Sequence, residues 1–114
     1  MIEIEGVRKD MIANNIDPYE PTHPGELIKD EIEYRNISQR QLATEMGVSY
    51  SLLNDILNCR RPINIKFAML CEAALGIPAY LLTRLQSEYE MQLAKRDQIF
   101  LKRLKGIKRI AAVL

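Results

Sequence analysis

The sequence has no tryptophan, a single histidine, two cysteines and only seven tyrosines and phenylalanines together. Each shortage removes a class of function. Two cysteines, Cys59 and Cys71, cannot make the disulfide framework of a small secreted scaffold, so the expectation is a reduced, cytosolic protein. His23, Cys59 and Cys71 have neither the C-x-x-C nor the H-x-x-x-H spacing of a zinc site, which needs four ligands, so no metal or other cofactor is expected. With one histidine, no glycine-rich phosphate loop and no paired acids at a useful spacing, no catalytic constellation can be assembled, and an enzyme is not expected. No apolar run is long enough to cross a bilayer, and there is no signal-peptide pattern.

What is present points to a helical domain. The chain is 47% hydrophobic, too apolar for general disorder, and at 114 residues it has room for one core with terminal extensions. Leu, Ile and Ala dominate while aromatics are few, which favours an all-α bundle. The net charge of +1 conceals a strong asymmetry. Residues 1–34 hold nine acids against three bases, and residues 35–114 hold thirteen bases against six acids. In residues 95–114, Lys95, Arg96, Lys102, Arg103, Lys105, Lys108 and Arg109 oppose only Asp97. A charge run is ordinarily a solvated face, but asymmetry of this size makes an anionic partner plausible for the basic part.

Along the chain, Met1–Val7 alternates apolar and acidic residues, as a short strand or an extended arm would. Asp17-Pro18-Tyr19-Glu20-Pro21 disfavours helix and reads as a linker. Pro24 suits a first helical position, and Leu27, Ile28 and Ile32 give the first helix an apolar stripe as far as about Asn36. Ser38 and Gln41 make a capping-box pattern for a short second helix, with Leu42, Ala43 and Met46 inward and Gly47 as its stop. Ser49 caps a third helix carrying Leu52, Leu53, Ile56 and Leu57. Asn64 caps a fourth with Phe67, Leu70, Cys71 and Ala74, ended by Gly76 and Pro78. A fifth begins near Ala79 and has few breakers before about Lys105. The apolar positions Phe100, Leu104, Ile107, Ala111 and Leu114 follow a spacing suited to packing against another helix.

Two short helices joined by a glycine-containing turn, at residues 39–58, have the form of a helix-turn-helix. Ala43 is small where the second helix must cross closely, Gly47 permits the turn, and Leu42, Met46, Val48, Leu53 and Ile56 are apolar where the pair must lock onto its neighbours. Ser49, Tyr50, Ser51, Asn54 and Asp55 then fall on the exposed side, where they could reach base edges in a major groove. Arg60 and Arg61, with Arg40, are placed to hold phosphates, and Gln39 and Asn58 complete the expected DNA-binding set. Any small helical domain can contain such a pair of helices, and Asp55 would repel phosphate unless aimed at a cytosine amino group. A protein-binding scaffold is therefore the rival reading.

Residues 39–56 resemble the helix-turn-helix of phage-repressor-type, or xenobiotic-response-element, regulators. The likeness narrows with His23-Pro24-Gly25-Glu26, Gly47-Val48-Ser49, Asn58-Cys59-Arg60-Arg61-Pro62 and Leu85-Gln86-Ser87-Glu88-Tyr89. Over about residues 21–94 the chain is similar to HigA-type antitoxins. The resemblance implies a five-helix domain, flanked here by an N-terminal arm at residues 1–20 and a basic helical tail at residues 95–114. It implies a homodimer on a palindromic operator, and neutralisation of a HigB-like ribonuclease toxin of the RelE fold. A stand-alone repressor without a toxin is the alternative. Helix 5 and the seam from Phe100 are the candidate dimer contact, and the acid-rich first 34 residues the candidate toxin contact. Cys59 stands where the family usually has glycine and Leu82 where tryptophan is common. His23 is expected to cap the first helix and Cys71 to lie in the core.

Overall fold

A computed structural model describes residues 21–110, and these contain six α-helices. The arm at residues 1–20, with its possible strand, and the last four residues of the apolar seam lie outside the described residues. The helices are α1 (Pro24–Tyr34), α2 (Gln39–Met46), α3 (Tyr50–Leu57), α4 (Ile65–Leu75), α5 (Ala79–Lys95) and α6 (Gln98–Lys105).

Local chemistry explains most of these boundaries. The Oγ atoms of Ser38 and Ser49 accept from the main-chain N–H of Gln41 and Leu52, each at 3.0 Å, and Asn64 accepts from Phe67 at 2.8 Å. Each side chain thereby satisfies a donor that has no partner inside its helix. The exits of α1, α2 and α3 share one device. Asn36, Gly47 and Cys59 take left-handed φ values of 63°, 72° and 62°. The next residue then donates back across the turn: Ile37 to Ile32, Val48 to Ala43 and Arg60 to Asp55, at 2.8, 3.1 and 2.8 Å.

α1 to α5 enclose one core. Ile28 and Ile32 of α1 meet Leu42, Ala43 and Met46 of α2, Leu53, Ile56 and Leu57 of α3, Phe67, Ala68 and Cys71 of α4 and Leu82 of α5. Leu82 is fully buried and closes the core from α5. Cys71 is also fully buried, and burial pushes its thiol up to about 12, so it packs as a small apolar group rather than reacting.

Two expectations are corrected. The fifth helix does not continue to Lys105. It ends at Lys95, and Asp97 turns extended and accepts from the Phe100 N–H at 3.1 Å, which starts a separate sixth helix. Aspartate competes well for such N–H donors, so a break forms where apolar spacing alone suggested continuity. The seam from Phe100 is shortened with it, because Ile107 lies beyond the last helical residue. Leu70 of α4, expected to face inward, is 39% exposed, and Leu75 occupies the core instead. α6 itself contributes no buried residue.

Candidate nucleic-acid interface

α2 and α3 present the expected helix-turn-helix, with Gly47 at the turn and α3 supported from behind by α1. On its outer side nine of the ten candidate residues fall into two groups. Arg40 of α2 lies over the Tyr50 ring, with its guanidinium carbon 4.6 Å from the ring centre. That contact ties the first turn of α2 to the first turn of α3. Ser49 and Ser51 are exposed beside Tyr50. The Ser49 oxygen accepts the capping bond, which leaves its hydroxyl proton available to donate.

The second group is a polar bracket along α3. Asn54 donates to Gln39 Oε1 at 2.9 Å, and its own Oδ1 accepts from Asn58 Nδ2 and from an Arg60 terminal nitrogen, each at 3.2 Å. Arg60 also pairs with Asp55, its two nitrogens 3.3 and 3.4 Å from Oδ1. The repulsion that Asp55 was expected to exert on phosphate is thus largely offset within the face. Asn54 and Asp55 are half-buried rather than fully displayed, while Asn58, Arg60 and Arg61 are exposed. These contacts bring Gln39, Asn54, Asp55, Asn58 and Arg60 together, with Asn54 engaged by Gln39, Asn58 and Arg60, whereas Arg61 takes part in neither group.

A helix-turn-helix family model matches residues 28–82. Among solved structures, the antitoxin HigA of Pseudomonas aeruginosa, bound to the higBA promoter, is 31% identical, with a TM-score of 0.68. The alignment covers 81% of this chain and 100% of that one. PA4674 of the same organism, in complex with an 18-base-pair operator DNA, is 32% identical over 82% of this chain and 98% of that one, with a TM-score of 0.66. An addiction module antidote protein of a HigA family from Coxiella burnetii is 25% identical over 81% and 100% of the two chains, with a TM-score of 0.71. A comparison with curated proteins gives no match.

The chain belongs to the HigA family of helix-turn-helix antitoxins.

Two of the segments that carried the HigA resemblance, His23-Pro24-Gly25-Glu26 and Leu85-Gln86-Ser87-Glu88-Tyr89, are not on the face that α3 presents. They meet behind it. His23 caps α1, its Nδ1 accepting from the Gly25 N–H at 2.8 Å. An accepting Nδ1 assigns the ring proton to Nε2, and the ring makes a second hydrogen bond, to the main chain of Arg61. The same ring stands edge-on to Tyr89 of α5, with centres 4.9 Å apart. Gln86, one turn earlier on α5, accepts from the Ile63 N–H at 3.0 Å and donates to Glu90 at 2.8 Å. Pro24 fixes the first turn of α1, and a Cβ on Gly25 would run into the Ile56 carbonyl oxygen of α3. This HigA clasp pins the segment after α3, and hence Arg60 and Arg61, to both α1 and α5.

Burial holds the His23 pKa below its ordinary 6.5, against the raising influence of the Arg61 bond and of Glu26 and Glu90. Burial also raises the Cys59 thiol, helped by Glu26, whose carboxylate lies 3.9 Å from the sulfur. The roles of Gln86, Tyr89 and Gly25 had no local signal in the sequence beyond membership of those two segments. Their partners lie far along the chain or on the backbone.

Proposed function

We propose that this HigA-family chain represses transcription by binding a palindromic operator as a homodimer, and that it neutralises a HigB-like ribonuclease toxin of the RelE fold. The observation that carries the DNA-binding half is the pre-assembled polar face of α3. It is bracketed by Gln39 and Arg60 and held from behind by the clasp. The operator and promoter complexes of the Pseudomonas relatives support it. Tyr50 and Ser51 reach base edges, where a good contact is worth about 1–3 kcal/mol of discrimination. Arg40, Ser49, Asn58, Arg60 and Arg61 contact phosphates and sugars. Asn54, Asp55 and Gln39 hold the bracket from which these groups project.

One such unit reads few bases, so two-fold symmetry with half-sites about 34–36 Å apart, or a multiple, is the natural arrangement. The exposed apolar residues Ile65 and Met69 of α4 and Tyr80 of α5 suit the dimer contact better than the shortened seam of α6. Exposed acids on α1, including Asp30 and Glu33, offer the toxin a complementary charge.

The test is an electrophoretic shift with DNA from upstream of the chain's own gene, run with and without the product of the adjacent reading frame. Binding in the range of about 10⁻⁸ M or tighter, far above that for random DNA, is expected. Equal affinity for both DNAs would sink the repressor reading. Specific binding without capture of the neighbouring product would leave a stand-alone repressor. Sedimentation should give a dimer, and Met69→Asp a monomer.

A further inference from the structure

α6 lies outside the core that α1 to α5 enclose. Among the described residues its main packing is against α5, it contributes no buried residue, and it leaves Ile99, Phe100 and Leu104 at 84%, 42% and 44% exposure. Its bases, Lys102, Arg103 and Lys105, have no acid among them within the helix, and Lys108 follows. A strongly basic helix with uncovered apolar side chains is an incomplete surface.

We propose that the N-terminal segment of this same chain, residues 1–20, docks on α6 and covers it. Two observations favour that occupant. The first is complementarity. Residues 1–20 carry five acids against two bases, and they supply Ile2, Ile4, Val7, Met11, Ile12 and Ile16. They thus offer both the charge and the apolar groups that α6 lacks. A second α6 would bring basic face against basic face, which opposes self-association. DNA would satisfy the bases and leave Ile99 and Phe100 in water.

The second observation is reach. The chain enters the described fold at Pro21, two residues before His23, whose ring contacts Tyr89 of α5. Tyr89 lies six residues before the last residue of α5. That is about 9 Å along the helix axis, with α6 immediately beyond. Twenty residues span about 30 Å even if wholly helical and at least twice that if extended, so α6 lies within range.

The absence of tryptophan makes the test direct. In full-length protein carrying Ile4→Trp or Ile12→Trp, the single indole should emit to the blue of the same protein in urea. That shift should be independent of protein concentration and should diminish with added salt. Adding Phe100→Asp and Leu104→Asp should return emission to that of a hydrated indole, while the thermal transition of the core is retained, because α6 buries nothing in it. Lys102→Glu with Lys105→Glu, a milder pair at exposed positions, should weaken the shift in the same sense. Hydrated emission in the native protein would overturn the proposal. So would a blue shift that survives the α6 substitutions. A shift that grows with protein concentration would assign the docked segment to a second copy, and one that appears only with anionic vesicles would make α6 a lipid-binding helix. Either of those also overturns it.

Discussion

The reading face and the clasp behind it are built from the same materials, polar side chains bonded across helices, and yet their physical consequences are opposite. On the face, Asn54, Asp55 and Arg60 bond one another in contact with water. An exposed ion pair such as Asp55–Arg60 contributes about 0–1 kcal/mol to folding, so its main effect is to order the two side chains on the surface. In the clasp, His23 and Gln86 are 2% and 7% exposed, so each bond replaces one that water can no longer supply. A lost partner there costs the fold. The comparison teaches that His23, Gly25, Gln86 and Tyr89 brace α3 and the segment after it from behind, while Asn54, Asp55 and Arg60 order its outer face.

Substitutions sharpen the contrast, and the largest effect belongs to the clasp. At an exposed helical site Gly→Ala stabilises by up to about 1 kcal/mol. At Gly25 the added methyl meets the Ile56 carbonyl, which is backbone and cannot swing aside, so Gly25→Ala should lose about 3 kcal/mol in urea unfolding. A stabilised Gly25→Ala protein would refute the close approach of α1 to α3. Next, Gln86→Ala strands the Ile63 N–H and should destabilise by about 2 kcal/mol. It should also lower operator affinity, since Arg60 and Arg61 lie just before Ile63.

The clasp should also respond to pH. Protonated His23 cannot accept from Gly25, and its folded pKa lies below 6.5. The unfolded chain therefore binds the proton more readily. Stability from this group is fully present above about 6.5 and is lost as pH falls through the lowered folded value. Unfolding free energies of wild type and His23→Asn, which keeps a capping oxygen but does not titrate, should converge as the solution becomes mildly acidic. Parallel profiles would show that His23 is not the titrating element.

On the face, Arg61→Ala should leave stability within about 0.5 kcal/mol. It should weaken binding to specific and random DNA alike, and reduce the slope of log affinity against log salt by about 0.9. A marked loss of stability would move Arg61 from the face into the clasp. The smallest effect is expected at Cys59. Its φ of 62° is a conformation that glycine adopts without strain, so Cys59→Gly should gain up to about 1 kcal/mol, seen as a melting point raised by a few degrees. A clear loss would show that the contact between its sulfur and Glu26 outweighs the strain.

The helices were legible where the signal is local. Ser38, Ser49 and Asn64 cap the helices they were expected to cap, and Gly47 and Gly76 end theirs, because a cap is decided within four residues. The one boundary misread, between α5 and α6, was also local. Asp97 outcompetes the apolar spacing on either side, and spacing was given the greater weight. Asn36 takes the same left-handed exit as Gly47, but asparagine is common elsewhere too, so it gave no warning.

By itself the sequence determined the all-α class, the helix-turn-helix at residues 39–58 and the family. These depend on period, capping and turn chemistry, which act between near neighbours. Only the tertiary structure decided which polar side chains bond one another across the fold. Asn54 meets Gln39 across fifteen residues, Gln86 meets Ile63 across twenty-three, and His23 meets Tyr89 from the far end of the domain. Such pairings are set by how five helices close over one core. No window of sequence short enough to read contains both partners.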